Sequence, residues 1–504
     1  MDSPVYGSVP ATTNHASSHH LSPLAASMLA IGGTIGTGLF FSVASIILFG
    51  PFIALVLMFY IAFLVVIILQ ITAVLAVFLP ENGLICKFQF LFLGPLVGLA
   101  NNLIYWISWC LTYALELSII VSICRFWNTE WVDNHQTLLI LLIWSSLTAC
   151  NLLPVDAYGK IEFWIALIKV AAIVVWILIV VVSLVADGNV FGVWTNDLPW
   201  SFFGAHVSTA NYFVNFVSCL ILSSFIFQSV ESVAITTGDV TQPHETIPKV
   251  TRLVFIRIVV FYLAAVLLLT LLVPFDDKNL RDPSSQNLLS SPFLLALLNC
   301  GFHDNGLLLL TFNFIILSAI VSAANSNIYF GSRCVEAIAE SEAGTSWVRY
   351  LAATNADNVP VNAVLVTSAF GLVALLLKFQ SISVLFNFLL TCCALAGMLM
   401  WCLLCLSYIR FSQAMKTQKV DVSRLKFNTS WNLDFWAWFA LVNLGVILLC
   451  NGLTNYWDFS WLKFLGSYMT PVLFILLWGY FQYTGWGSFV PLDRIELWRG
   501  NLKD

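Results

Sequence analysis

Ile31-Gly32-Gly33-Thr34-Ile35-Gly36-Thr37-Gly38-Leu39-Phe40 sits in the first apolar segment of a chain in which 60% of residues are hydrophobic. Gly32, Gly33, Gly36 and Gly38 put four glycines within seven positions. Each costs roughly 1 kcal/mol against Ala in a helix interior, so a continuous helix is not expected here. In lipid, a broken helix strands backbone N–H and C=O groups, at several kcal/mol each. Such a break is tolerated where it lines a cavity or meets a ligand. The stretch therefore points to a polar substrate held partway across a membrane.

The rest of the chain agrees. Of its 504 residues only 9% are charged, against about 25% in a soluble protein, and mean hydropathy is +0.91. That length accommodates about a dozen spans of roughly 20 residues. The apolar runs predict spans at 24–48, 52–78, 97–127, 136–154, 159–186, 210–237, 252–273, 304–332, 361–378, 381–410, 434–454 and 463–484. Residues 1–23 read as a disordered cytosolic tail, 24–484 as one transmembrane domain and 485–504 as a cytosolic C-tail. With the N-terminus inside, fifteen of the 21 Lys and Arg fall on the inner side, five fall outside, and Lys169 is left within the membrane. The positive-inside rule then puts both termini in the cytosol. No basic segment precedes the first span, so no cleavable signal peptide is expected. The twelve cysteines lie mostly within spans, and Cys402 and Cys405 read as small buried hydrophobes. The sequon at Asn428 falls in an expected cytosolic loop. No metal cluster, nucleotide motif or nucleophile–base pair is apparent, which argues against an enzyme. Nothing points to nucleic acid. The expected partners are a small solute and the bilayer.

A second interruption is expected at Phe225-Ile226-Phe227-Gln228-Ser229-Val230-Glu231-Ser232. A carboxylate at mid-span costs roughly 2.5–3.5 kcal/mol to insert. Glu231 is therefore either a gate or proton-linked group, or a neutral acid bonded between helices. The first and sixth spans are thus both broken, five spans apart, as in two five-helix inverted repeats. Half-helix N-termini at the breaks offer N–H groups to a carboxylate. Exposed carbonyls at the other half-helix ends accept from an ammonium. An amino acid carries both groups. Lys169 lies about nine residues, roughly 13 Å, inside its span, farther than snorkelling covers. Glu116 lies at mid-span in the third segment. Asn101 and Asn102 read as interfacial or interhelical hydrogen-bonders.

Several longer stretches carry a family resemblance: Met28 to Phe40, Tyr105 to Ser118 (YWISWCLTYALELS), Asn151 to Val170 (NLLPVDAYGKIEFWIALIKV), Phe227 to Val250, Leu271 to Phe275, and Ser322 to Arg333 (SAANSNIYFGSR). Together they resemble the fungal amino-acid permeases of the amino acid–polyamine–organocation superfamily, and within them the basic amino-acid permeases of yeasts. The resemblance implies proton-coupled import of arginine or lysine by alternating access, with the proton as coupling ion and no other cofactor. It also implies a plasma-membrane location and contact with trafficking and ubiquitin-ligase adaptors. Thr34, Gly36, Thr37 and Gly38 match the unwound first helix that holds the substrate carboxylate. Phe225, Gln228, Ser229 and Glu231 match the unwound sixth helix, Phe225 as the aromatic that gates the bound substrate. Asn325, Ser326 and Asn327 match the eighth helix near the first break. Lys169 matches the lysine that stands where sodium-coupled relatives hold their ion, and so a proton carrier. Glu116 is either a selectivity residue for a basic side chain or a structural carboxylate. A neutral-amino-acid permease and a non-transporting amino-acid sensor of the same fold are the alternatives.

The sequence departs from the family in three places. Ala73-Val74-Leu75 stands where the family has Gly-Glu-Met. Glu81-Asn82-Gly83-Leu84-Ile85-Cys86 replaces a stretch rich in Ser and Thr, and Ser229 replaces the glycine of the sixth-helix break. The N-tail has no lysine, which leaves Lys416, Lys419 and Lys503 as the expected modification sites.

Overall fold

A computed structural model describes residues 35–499 apart from 81–82, 189–208, 235–242, 276, 278–290, 303–305, 341–345, 357–358, 379–381, 422–424, 428, 430, 457–458 and 486–488. Thr34, the N-tail, Lys503 and two sequon residues, 428 and 430, therefore lie outside the described residues.

The protein is an all-α integral membrane protein. Among the described residues, eight helices are long and apolar enough to cross a membrane, and Gly38–Ile47, Phe216–Ser232 and Val361–Leu376 are shorter apolar helices. With Thr129–Asn151 these supply the twelve expected spans. The fourth span is less apolar because its first turns carry Glu130, Asp133, His135 and Gln136. Backbone at His135 is non-helical, so the apolar part begins where the sequence places it, at residue 136. Gly-Pro pairs start the second span, Pro51–Phe78, and the third, Pro95–Cys124. Gly50 (φ 116°) and Gly94 (φ 103°) adopt backbone that side chains disfavour, and proline occupies the first turn.

The spans pack as two related halves. The first span packs on the sixth, and the third lies along the eighth, Gly306–Glu340. Each pair is five spans apart, as a five-plus-five repeat requires. The tenth span, Ile382–Thr417, joins the third and sixth and carries the eleventh, Leu433–Cys450. The fifth, eleventh and twelfth spans expose apolar side chains such as Val182, Leu449 and Leu476, at 66%, 72% and 64%. Contiguous exposed apolar surface of this kind faces lipid.

Two boundaries differ from expectation. The seventh span begins at Pro243, not 252, and runs to Leu272. Its first turns are amphipathic, with His244, Glu245 and Lys249 exposed and Thr246, Ile247 and Val250 buried. Arg257 therefore sits well inside the span and is 2% exposed, so Lys169 is not the sole buried cation that the sequence led us to expect. The segment after Gly485 is not a free tail where it is described. Ile495 and Leu497 are buried, and the Gln418 amide donates to the Leu492 and Ile495 carbonyls at 3.0 and 2.8 Å.

Val74 is 1% exposed in the hydrophobic core. The position at which the sequence departs from the family motif is thus part of the apolar core. Val74→Glu is expected to cost at least about 3 kcal/mol by burying a carboxylate in apolar surroundings. Reduced monodisperse protein in fluorescence-detected size exclusion would register it; full yield with faster uptake would mean the loss is a functional defect instead.

Candidate substrate-binding site

Ile35 and Gly36 form a bend, the first span is helical from Thr37, and it continues as a π-turn from Gly38 to Ser42. The Phe40 N–H donates to the Gly36 carbonyl at 3.1 Å. Two glycines here serve close approach as well as the break. A Cβ on Gly36 would lie 2.5 Å from the Ala323 Cβ, and one on Gly38 would lie 2.9 Å from the Ile226 Cα. Only glycine lets the first span touch the sixth and eighth at these points.

The sixth span is interrupted where expected. Its helix, Thr209–Ile226, ends in tight turns, with Phe227 N–H on Ser224 O and Gln228 N–H on Phe225 O, both at 3.1 Å. Ser229 takes φ 73°, and a short 3₁₀ turn, Val230–Ala234, follows. Left-handed backbone costs a side-chain-bearing residue roughly 1–2 kcal/mol. Ser229→Gly is accordingly expected to stabilise the protein by about 1 kcal/mol, read as a higher thermal midpoint in detergent. An unchanged or lowered midpoint would mean that the serine hydroxyl holds the break.

Between these breaks and the third, eighth and tenth spans lies a small cavity. Gly36, Thr37, Gly38, Glu116, Phe225, Gln228, Ser229, Glu231 and Asn327 all line it. Sequence reasoning missed Tyr105, Trp109 and Gly397 in the same wall, and Trp401 behind it.

Two acids hold the wall together. Glu116 is 5% exposed and accepts from Thr37 Oγ1 at 3.3 Å and Asn327 Nδ2 at 2.6 Å, tying the broken first span to the third and eighth. Glu231 is 1% exposed and accepts from Tyr105 Oη at 2.7 Å on one oxygen and Trp401 Nε1 at 2.9 Å on the other. That carboxylate joins the sixth-span break to the third and tenth spans. Tyr105 and Trp109 pack edge to face, with ring centroids 5.4 Å apart.

Three residues singled out in the sequence make their hydrogen bonds away from the cavity. The Gln228 amide nitrogen donates to the Cys393 and Ala394 carbonyls at 2.7 and 3.2 Å, so its donors serve the tenth span. Gly397 leaves room for that side chain: a Cβ there would collide with the Gln228 amide. Asn325 does not line the cavity. Its Oδ1 accepts from Asn151 Nδ2 at 2.7 Å, and its own amide reaches Cys150 Sγ at 3.9 Å. At about 100° per residue, positions two apart face opposite sides of a helix, so Asn325 and Asn327 cannot share one wall.

Lys169 also lies outside the cavity wall, wholly buried between the fifth span, Val155–Asp187, and the eighth. Its Nζ donates to Ser322 Oγ at 2.8 Å and lies 3.8 Å from Glu162 Oε1. Ser322 in turn donates to Glu162. Glu162 escaped the sequence reading, although seven residues on one helix return to the same face and signal a pair. Asn101 and Asn102 prove interhelical: Asn101 donates to Gln89 Oε1 at 2.9 Å and Asn102 to the Cys86 carbonyl at 3.0 Å.

Interrupted helices around a buried cavity are the arrangement expected of a multi-pass membrane transporter. A manganese transporter from Eremococcus coleocola shares the fold, with a TM-score of 0.54 at 11% identity over 92% of this chain and 93% of that one. The chain belongs to the amino acid permease family, whose profile matches residues 25–486. It is 33% identical to a lysine/arginine permease of Candida albicans, over 94% of this chain and 83% of the relative. It is also 33% identical to a lysine-specific permease of Saccharomyces cerevisiae, over 88% and 72% of the two chains. A lysine-specific permease of Lactococcus lactis is 27% identical over 94% and 91%. The family places the protein among amino-acid transporters and not among enzymes.

Proposed function

We propose that the protein is a proton-coupled importer of basic amino acids, lysine and arginine, acting at the plasma membrane with both termini in the cytosol. The carrying observation is the charge of the cavity wall: two carboxylates, Glu116 and Glu231, and no Lys or Arg among the described lining residues. A low-dielectric cleft lined by one sign of charge concentrates the opposite sign, which favours a substrate with net positive charge. The names of the relatives support the same substrate class. The substrate carboxylate meets backbone N–H groups at the first-span break, its ammonium meets carbonyls at the sixth, and Phe225 closes over it. Rocking of the bundle that holds the two breaks then turns the site from outside to inside. The exposed Lys419 offers a cytosolic position for ubiquitin-ligase adaptors.

Uptake of labelled arginine, lysine and leucine in permease-deficient yeast tests this reading, in acidic and neutral medium, with and without a protonophore. Protonophore-sensitive arginine or lysine uptake is expected. Leucine uptake instead would make it a neutral-amino-acid permease. Absence of uptake by protein at the cell surface would make it a sensor.

A further inference from the structure

Among the described residues, three acids are buried inside the membrane-spanning helices: Glu116, Glu162 and Glu231. They differ in what their oxygens do. Both oxygens of Glu231 accept, one of them from an indole N–H that can only donate. Both oxygens of Glu116 accept as well. Glu162 accepts on Oε1 from Ser322, while its Oε2, although buried, has no hydrogen-bond partner among the described residues. A buried, bare carboxylate oxygen is costly, and a proton added there removes the charge and with it most of that cost.

We propose that Glu162 takes up the transported proton, with Lys169 as its fixed counter-ion and Ser322 as the bridge between them. This rests on the proton-coupled reading above. The step is simple: an O–H bond forms at Oε2, and one O–H bond of a hydronium ion breaks to leave water. No electrons change hands.

The surroundings suit that role. Lys169 lies within electrostatic reach of Glu162, Glu116 and Arg257, so two acids face two bases. Tyr158 and Cys150 flank Glu162 and are uncharged neighbours. With two carboxylates near it, the Lys169 ammonium keeps a counter-ion after Glu162 is neutralised. The link to substrate runs through the eighth span. Ser322 is adjacent to Ala323, which packs against Gly36, and lies five residues before Asn327, which donates to Glu116 in the cavity wall. Protonating Glu162 weakens its clasp on Ser322 and so frees the eighth span to move against the fifth. The substrate then sees a different wall in the two protonation states, which is the differential binding that coupling needs.

The test compares lysine uptake by the unsubstituted protein, Glu162→Gln and Glu162→Asp in proteoliposomes with and without an imposed pH gradient. One exchanged proton gives up to about a tenfold change per pH unit. The ratio of gradient-driven to gradient-free uptake is expected to fall to about one in Glu162→Gln, which mimics the protonated acid, and to recover in Glu162→Asp. A Glu162→Gln ratio equal to that of the unsubstituted protein would overturn the proposal and leave proton coupling intact, with Lys169 as the carrier. A ratio of one in the unsubstituted protein would overturn the proton-coupled reading itself, and the proposal with it. Should Glu162→Gln fail to fold, dicyclohexylcarbodiimide labelling of the unsubstituted protein decides, because this reagent attacks protonated carboxyls in apolar surroundings. Adduct at Glu162 that increases on acidification supports the proposal. Adduct at Glu231 or Glu116 with none at Glu162 refutes it.

Discussion

Glu231→Gln is expected to lower the initial rate of amino-acid uptake by about 5- to 150-fold while the protein still reaches the membrane. The side chain accepts from Tyr105 on one oxygen and from Trp401 on the other. Glutamine keeps the shape but supplies only one acceptor. Its NH₂ must face either the tyrosine hydroxyl or the indole N–H. The tyrosine can turn its hydroxyl to accept, whereas the indole nitrogen has no acceptor to offer. Whichever orientation wins, the third, sixth and tenth spans lose a charge-assisted link beside the cavity. Leaving a buried donor or a repelled pair there costs about 1–3 kcal/mol, and a coupling free energy of that size is the stated range in rate. The measurement is labelled-lysine uptake normalised to surface protein. Near-normal uptake would remove Glu231 from the gate and leave it as a structural acid.

Lys169→Ala is expected to act on stability as well as on transport. The ammonium is fully buried, 3.8 Å from Glu162 and hydrogen-bonded to Ser322. Removing one partner of a buried pair leaves an uncompensated charge and costs about 3–5 kcal/mol. The thermal midpoint in detergent should fall clearly, and the response of uptake to a protonophore should disappear. Replacing both partners is commonly close to neutral, so adding Glu162→Gln to Lys169→Ala should recover most of the lost midpoint without restoring the proton response. A double variant no more stable than Lys169→Ala would mean that the two side chains are not an energetic pair. An unchanged protonophore response in Lys169→Ala would remove the lysine from coupling.

The two variants differ in what the sequence could say about them beforehand. Glu231 and Lys169 stand out because charge is expensive inside an apolar span, and that cost attaches to one residue wherever it sits. The partners of Glu231 were not legible. Tyr105 is 126 residues away and Trp401 is 170, and aromatic residues are common in such spans. Glu162 was hidden because its stretch, Tyr158 to Lys169, reads as the mixed start of a span. Asn325 was misplaced because a motif was carried over as a run, although successive residues on a helix turn through about 100°. Arg257 reads in the sequence as lying near the inner end of its span, whereas the helix begins at Pro243, nine residues before the expected start at 252, which places it deeper than expected.

The sequence by itself determined that this is a multi-pass helical membrane protein interrupted at its first and sixth spans. Glycine runs and isolated charges carry penalties in lipid that only a cavity or a partner removes, and those penalties are readable one segment at a time. Which side chains meet was decided only by the tertiary structure. The clasps of Glu231 by Tyr105 and Trp401, of Glu116 by Thr37 and Asn327, and of Lys169 by Ser322 and Glu162 depend on how helices distant in sequence rotate and pack. The close approach that Gly36, Gly38 and Gly397 permit sets those rotations, and it leaves no periodic signature in any one segment.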